Sequence, residues 1–366
     1  MDEFADLIAL SRFAGERFDL VQAGGGNSSR RCDDGRLHVK ASGMSLAAVA
    51  SAEDFCTVSW PPLLAFLDQD EAATEGASDI AVLEARANAV VNAAMLSSGR
   101  RPSIETLLHC ALGNFTLHTH PIAVTAVVCA ANWKERLTTL FADAFFVDYK
   151  TPGPALALAL RRQLRERDWQ PGDPACVFLQ NHGLIVAADR KKAVIDMTND
   201  VVERIAGSID LNLGRYRLVN FTSQLINNAC GSEWISYLSE DEDLVAAAAG
   251  EASALLSAPL TPDQLVYCGP VALVLESIEE AAATEAVTAY FMKFQQPPRV
   301  ILLKDGSHRH VLLAGQNLHK CRDTEAVLKS VVLMLSRAAR SSLQLLSKDE
   351  VDFLTNWEAE KYRQRL

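Results

Sequence analysis

The sequence lacks a long apolar run and has no surplus of basic residues. None of its 366 residues lies in an uncharged apolar stretch of roughly 20 residues, the length that a membrane-spanning helix needs. Asp and Glu number 46 against 35 Lys and Arg, which gives a formal net charge of −11, whereas a general nucleic-acid binder usually has a basic face. The first residues, MDEFADLIAL, lack the basic region and apolar core of a signal peptide. These absences predict a cytoplasmic protein that binds neither membranes nor nucleic acid.

The eight cysteines form no C-x-x-C pair. In a long chain of cytosolic character, scattered cysteines are typically small buried apolar side chains rather than disulfides or zinc-ribbon ligands. A dinucleotide-binding fingerprint, G-x-G-x-x-G, is also missing. Nicotinamide chemistry is therefore not predicted.

Strand-like and helix-like segments alternate along most of the chain. LHVKAS, FCTVSW, FTLHTH and AVTAVVCA have strand composition, and ACVFLQNHGLIVAA resembles two buried strands. Apolar periodicity predicts helices in RKKAVIDMTNDVVERIAGSIDL and in AVLEARANAVVNAAMLSSG, the latter ending at Gly99. An acidic, alanine-rich stretch, SEDEDLVAAAAGEASALLSAPLTP, then precedes a second α/β segment, in which PVALVLES and PPRVILLKDG flank a helix. We predict two domains, 1–220 and 221–366, the second of unknown role.

One glutamate and three of the eight histidines lie in ETLLHCALGNFTLHTHP. If ETLLHCAL is helical, Glu105 and His109 share one face, and if FTLHTH is a strand, His118 and His120 share one face. His182 in FLQNHGLIVAA, before a glycine that permits a sharp turn, is the best candidate for a third histidine ligand. Catalytic zinc sites have three protein ligands and one open position, so we predict a metal site rather than core histidines. His109 is expected to orient a ligand rather than bind the ion.

A glycine-rich loop, LVQAGGGNSSRR, precedes the strand-like LHVKASGMSL. Its three glycines allow close backbone approach, and Asn27 and Ser28 can donate hydrogen bonds to an anion. Lys40, Ser42 and Gly43 could form the opposite wall of the same site. The loop is neither a Walker A motif nor G-x-G-x-x-G, and taken alone it fits a solvated turn equally well.

Five motifs, taken in order, resemble those of the class II aldolase/adducin family of zinc-dependent sugar-phosphate aldolases, over residues 5–210. They are GGGNSSRR, VKASG, RPSIETLLH, LHTHP and FLQNHGLIV. The resemblance implies a three-layer α/β/α domain around a mainly antiparallel central sheet. It implies that Glu105 is the catalytic carboxylate and that Zn²⁺, or another divalent transition metal, is held by His118, His120 and His182. It also implies a phosphate-binding loop made of Gly26, Asn27, Ser42, Gly43 and Ser103.

The activity implied by the resemblance is a metal-dependent lyase that cleaves a ketose, in particular a ketose 1-phosphate. Cleavage would be a retro-aldol reaction through a metal-stabilised enediolate, with Glu105 as the general acid/base at the nascent enediolate carbon. A sugar-phosphate 4-epimerase or a phosphorylated sugar-acid decarboxylase on the same scaffold is an alternative, although related epimerases carry aspartate where Glu105 stands. A non-catalytic, adducin-like interaction module is a further alternative, which the presence of all the predicted ligands disfavours.

VDYKTPGPALA, LTPDQLVYCG and NWEAEKYR resemble the aldolase half of bacterial aldolase/short-chain-dehydrogenase fusions. The family resemblance suggests a homo-oligomer, in particular a homotetramer, with its active sites between subunits. In that family a neighbouring subunit donates an aromatic or acidic residue to each site. That residue has no clear counterpart here, because packing or surface roles fit Tyr149, Trp133 and Asp143 better. For His308 and His310 in DGSHRH we expect a solvated turn.

Overall fold

The structure is a computed structural model that describes residues 4–69, 77–250, 258–337 and 343–356. It contains two compact units, Met1–Leu213 and Gly214–Leu366. The predicted boundary at residue 220 falls inside a helix, Arg217–Cys230, that belongs wholly to the second unit. The acidic stretch that was expected to separate the domains contributes another helix, Glu242–Ala249, to the same unit. No helix among the described residues is both long and apolar enough to cross a membrane.

A seven-stranded sheet forms the centre of the first unit. Its strands are β1 Asn27–Arg31, β2 Arg36–Lys40, β3 Phe55–Ser59, β4 Phe115–Thr119, β5 Phe145–Val147, β6 Ala175–Leu179 and β7 Gly183–Ala188. Across the sheet their order is β3-β2-β1-β4-β7-β6-β5. Neighbouring strands are antiparallel, except β5 and β6, which are parallel. The predicted mainly antiparallel sheet is confirmed.

Helices cover both faces of this sheet. They are α1 Ala5–Gly15, α2 Trp60–Gln69, α3 Ala77–Ala93, α4 Thr106–Cys110, α5 Ile122–Val128, α6 Trp133–Leu140, α7 Pro154–Glu166 and α8 Lys191–Ser208. Alternate residues of a strand point to opposite faces, so Ile185 and Ala187 of β7 pack with α2, α3, α4 and α7. Leu184 and Val186 pack instead with α1, α5, α6 and α8. These two apolar layers confirm the three-layer α/β/α architecture.

Two local predictions in the first unit are wrong. AVTAVVCA, predicted as a strand from its valines, forms most of α5. Pro121 precedes that helix, and its buried residues include Ala123, Val124 and Val127 at spacings of three and four, so helical burial outweighs β-branched composition. The helix α3 ends at Ala93 instead of Gly99, because the following residues pair with β3, with Met95 opposite Val58.

The second unit has a four-stranded sheet of its own. Its strands are β8 Ile235–Ser239, β9 Leu273–Leu275, β10 Val300–Asp305 and β11 His308–Gly315, in the order β8-β11-β10-β9. Its helices are α9 Arg217–Cys230, α10 Glu242–Ala249, α11 Pro262–Cys268, α12 Glu280–Phe294, α13 Leu318–Arg337 and α14 Lys348–Asn356. The parallel strands β9 and β10 are joined through α12, which is the predicted strand-helix-strand arrangement. The segment NWEAEKYR lies, apart from Asn356, outside the described residues.

A buried ion pair stabilises the loop between α1 and β1. Arg17 and Asp19 have side chains that are each 1% exposed, and Arg17 Nε donates to Asp19 Oδ1 at 2.9 Å. Arg17 Nη1 also donates to Asn199 Oδ1 of α8 at 2.6 Å. The same loop holds the chain that follows β4, because the carbonyl of Leu20 accepts a hydrogen bond from the backbone nitrogen of His120.

We expect Arg17→Met to lower the free energy of unfolding by about 3–5 kcal/mol, because it leaves the Asp19 carboxylate buried and unpaired. Urea denaturation followed by circular dichroism measures the loss. Lys191→Met is the matched control, because it removes a more exposed pair with Asp6 and should cost no more than about 1 kcal/mol. Equal losses in the two variants would contradict the role given to the buried pair.

Candidate metal centre

His118, His120 and His182 bring their Nε2 atoms together, although His182 is distant in sequence. His118 lies in β4, His120 directly follows that strand, and His182 ends the turn between β6 and β7. His118 Nε2 is 3.1 Å from His120 Nε2 and 3.2 Å from His182 Nε2. His182 lies close to the other two histidines because β7, which directly follows it, is the neighbour of β4 in the sheet.

These separations fit one metal ion. Two nitrogen ligands of a tetrahedral zinc ion with ordinary Zn–N bonds lie about 3.3 Å apart. His118 Nδ1 is 3.0 Å from the carbonyl oxygen of Leu184, and since a carbonyl only accepts, Nδ1 carries a proton, which makes Nε2 the nitrogen that can bind a metal ion. Burial, with the charges of neighbouring groups, lowers the pKa of His120 and of His182 to about 4, so both rings are neutral near pH 7. Neutral imidazoles are the form that binds metals.

Two glycines make room for the His120 ring. A Cβ atom added to Gly183 would lie 2.4 Å from the carbonyl oxygen of Thr119 and 3.0 Å from His120 Cδ2. One added to Gly25 would lie 2.9 Å from His120 Nδ1. The prediction that Gly183 permits the turn is wrong, because the left-handed residue in that turn is Asn181, with φ 55°. Gly183 is required for close packing instead.

We expect Gly183→Ala to weaken metal binding by about tenfold or more, the range seen when support around a ligand is lost. The new methyl group would meet a backbone carbonyl, so β4 or β7 must shift and carry its histidine with it. Competition with a chromophoric chelator measures the affinity. Gly207→Ala in α8 is the control, because an added Cβ there meets no atom within 4 Å. Wild-type metal affinity in Gly183→Ala would contradict this account.

Glu105 faces the histidines from the start of α4 and is 8% exposed. Its Oε1 atom is 3.3 Å from His118 Nε2 and 3.5 Å from His182 Nε2. Burial by itself raises the pKa of Glu105, but the charge and hydrogen bond of His118 outweigh it, so the pKa lies well below its ordinary value. Burial lowers the pKa of His118 while the Glu105 carboxylate raises it, and the result is a raised pKa. The carboxylate is therefore ionised beside the histidines.

His109 is close to Glu105 but lies outside the histidine triad. Its Nδ1 atom is 2.7 Å from Ser29 Oγ of β1, and its backbone nitrogen donates to the carbonyl of Glu105. Its Nε2 atom is buried without a hydrogen-bond partner in the described part of the chain. Burial lowers the pKa of His109 to about 3, so the ring is neutral. Its expected part in orienting a ligand stays a prediction.

The predicted anion-binding residues lie on segments that adjoin the triad. Asn27 is paired with His118 across β1 and β4, and a Cβ added to Gly26, where φ is 76°, would lie 2.9 Å from the carbonyl oxygen of His118. Ser103 Oγ accepts a hydrogen bond from the backbone nitrogen of Glu105 at 3.2 Å. These three residues therefore adjoin metal-ligand candidates or the catalytic carboxylate candidate.

The segment that contains Ser42 and Gly43 lies beside the one that contains Ser103, since Ser42 N donates to the carbonyl of Arg101 at 2.9 Å. Ser42 is exposed, and Gly43 has φ 80°. Lys40 is only 3% exposed, and its Nζ donates to the carbonyl of Met44 at 2.6 Å. Burial lowers the pKa of Lys40, and the Glu105 charge opposes that shift. The contacts of the Lys40 ammonium thus hold the loop around Ser42 and Gly43.

Three residues were weighed as the one donated to a neighbouring subunit's site, and the structure shows whether each is buried or exposed. Trp133 is 3% exposed and packs in the apolar layer with α5 and α8, as predicted. Tyr149 and Asp143 are exposed.

Sequence reasoning singled out the glycine run for close backbone approach but missed the contact of Gly25 with the His120 ring. It also missed two other groups that shape the site, Ser29 and the Leu184 carbonyl. Ser29 and a backbone carbonyl leave no distinguishing pattern in the sequence.

The fold and the site define a class of protein. Residues 5–206 match the family model of the class II aldolase and adducin N-terminal domain, more than half of the chain. The chain belongs to this family, and the family predicted from the sequence is confirmed.

Known proteins of several kinds resemble the chain. An uncharacterized oxidoreductase, YuxG of Bacillus subtilis (strain 168), is 25% identical over 224 residues, which cover 58% of this chain and 30% of YuxG. The chain therefore spans less than a third of that relative's length. The N-terminal class II aldolase domain of a conserved protein from Thermoplasma acidophilum is 24% identical, with a TM-score of 0.47, over 57% of this chain and 95% of that domain. L-fuculose-1-phosphate aldolase from Thermus thermophilus is 19% identical, with a TM-score of 0.34, over 55% of this chain and 92% of that enzyme.

Proposed function

We propose that the protein is a metal-dependent lyase that cleaves a ketose, in the first instance a ketose 1-phosphate, by retro-aldol chemistry. The observation that carries the proposal is the Glu105 carboxylate, 3.3 Å from His118 Nε2, beside three histidines that fit a divalent metal. Membership of the class II aldolase and adducin family supports the same chemistry. Breaking the carbon–carbon bond requires charge stabilisation and a proton carrier, and residues for both meet at this site.

His118, His120 and His182 would hold the metal ion through their Nε2 atoms. We propose Zn²⁺, because an all-imidazole site of three ligands is typical of catalytic zinc. When bound, the ion supplies a Lewis acid for the oxygen atoms of the substrate. The Leu184 carbonyl supports this arrangement, since its contact with His118 Nδ1 fixes the ring orientation.

Glu105 would carry the proton. Because its carboxylate is ionised, Oε1 can accept the carbon-bound proton in the condensation direction. In cleavage, the hydroxyl on the carbon that becomes the carbonyl loses one proton, and the same oxygen of Glu105 delivers one proton to the carbon that keeps the electron pair of the broken bond. Its low exposure and the Ser103 contact to its backbone support a fixed position that excludes most water.

The glycine loop and the neighbouring segments would bind the phosphate group of the substrate. The residues concerned are Gly26, Asn27, Ser42, Gly43 and Ser103, with Lys40 supporting the loop from below the surface. A phosphate held there would set the reacting carbons beside Glu105, which is a proximity effect. The same proposal includes a homo-oligomer, as the family resemblance suggests, and a cytoplasmic location, as predicted from the sequence.

A screen of ketose 1-phosphates tests the proposal. Zinc-loaded protein is incubated with the panel, and released dihydroxyacetone phosphate is measured by coupled NADH oxidation. We expect at least one substrate to be cleaved, with activity lost after chelation and restored by zinc.

The remaining outcomes point to different functions. A stereoisomer formed without cleavage would make the protein a 4-epimerase, and CO₂ released from a phosphorylated sugar acid would make it a decarboxylase. No turnover by protein that holds its metal would favour a binding module.

A further inference from the structure

A cavity of about 580 Å³ lies wholly within the second unit. It is lined by the end of β8, by α10 and by the hairpin of β10 and β11. Its volume lies within the roughly 300–1,000 Å³ of ordinary small-molecule sites. The sequence predicted a solvated turn here, but the turn comprises only Gly306 and Ser307. His308 and His310 belong to β11 and line the cavity.

One wall of the cavity is cationic. Lys304 of β10 and Arg309 of β11 are directly paired across the hairpin, and Arg215 lies nearby in the same lining. Arg309 and Lys304 share a single carboxylate, Glu276, at 3.1 and 3.8 Å. Arg215 pairs with Glu240 at 2.9 Å. These three cations have two carboxylate partners, of which Glu240 itself lines the cavity, so one positive charge of the wall is not balanced by these partners.

Another part of the cavity lining is apolar and partly open to solvent. Leu238 of β8 and three residues of α10 line it: Val245, Ala248 and Ala249. Val245 is 40% exposed, although an apolar side chain of this size gains free energy when it is covered. A ligand that covers this wall therefore has an apolar part as well as a charged one.

We infer that the cavity binds a small organic anion, with a phosphate or carboxylate head group on the cationic wall and an apolar part against α10. An Arg guanidinium beside a Lys ammonium suits either head group, because both accept charge-assisted hydrogen bonds. All the lining residues lie in the second unit, so the inference does not rest on the function proposed for the first unit.

Titration calorimetry on the full chain tests the inference with four probes. Phenyl phosphate and benzoate carry an anionic group and a ring, benzyl alcohol carries the ring alone, and inorganic phosphate carries the charge alone. We expect phenyl phosphate or benzoate to bind more tightly than both single-feature probes, and the tighter of the two identifies the head group. Failure of both to bind, or equal binding of benzyl alcohol, would overturn the inference.

Variants assign the binding to this cavity. Lys304→Gln combined with Arg309→Gln should weaken binding of the better probe about tenfold or more, the effect of losing hydrogen bonds to a charged group. Lys293→Gln, an exposed residue of α12 outside the cavity, should bind as the wild type does. Ser42→Asp, which adds charge at the anion-binding segment of the first unit, should leave in place the binding that the double variant removes.

The reverse pattern overturns the inference. Binding that Ser42→Asp abolishes and the double variant keeps would put the probe on the first unit. Equal melting temperatures for the double variant and the wild type establish that a loss of binding is not a loss of folding. If the double variant is unstable, Val245→Asp, which places a negative charge on the exposed apolar wall, must weaken the anionic probes in its place.

Discussion

Replacing Glu105 with glutamine is expected to leave the metal content unchanged and to lower kcat by about 10²–10⁴-fold, the usual contribution of a positioned acid or base. The amide has the shape of the carboxylate but cannot accept a proton at the position of Oε1. The candidate metal ligands are His118, His120 and His182. Glu105 is not one of them, so the metal should remain bound. Elemental analysis and kinetics on the substrate found in the ketose 1-phosphate screen measure the two quantities together.

Two further variants separate the possible roles of Glu105. Glu84→Gln removes an exposed carboxylate of α3 and should leave kcat unchanged. Glu105→Asp keeps the charge but withdraws the oxygen by one methylene, so activity should fall while the metal stays bound. Wild-type turnover by Glu105→Gln would remove the proposed proton carrier, and loss of its metal would make Glu105 a ligand instead.

The candidate ligands could be predicted from the sequence because their chemistry and spacing are local. Histidines two apart at the end of a strand share a face wherever that strand lies, so His118 and His120 needed no knowledge of the fold. His182 could be proposed only as a candidate. Its position depends on β7 lying beside β4, and the order of strands in a sheet does not follow from hydrophobic pattern.

The predictions that were wrong depended on tertiary contacts. The valines of α5 have strand composition, and only the apolar layer against α1 and α8 determines that they are buried at helical spacing. Gly183 was assigned to a turn because glycine is common in turns. Its actual constraint is the distance to the carbonyl of Thr119, which belongs to a strand remote in sequence. The cavity of the second unit is likewise formed by three separate segments.

Replacing His118 with alanine is expected to remove the metal and the activity together. His118 is the central member of the triad, because its Nε2 atom is within 3.2 Å of both other Nε2 atoms. Removing a partner of a metal ligand already costs about 10–100-fold in affinity, so removing the ligand itself should cost more. Metal analysis after dialysis and the retro-aldol assay measure both losses.

His118 is fully buried in β4, so its truncation also opens a cavity that destabilises the first unit. His182→Ala avoids this, because His182 lies in a turn and its side chain is 15% exposed. The same loss of metal is expected from both variants if three nitrogens share one ion. His319→Ala, at an 82% exposed histidine of the second unit, controls for histidine content. Stoichiometric zinc in folded His182→Ala would show that the triad is not the metal site. Loss of metal from both triad variants, with metal kept by the control, would assign the ion to the point where β4 meets β7.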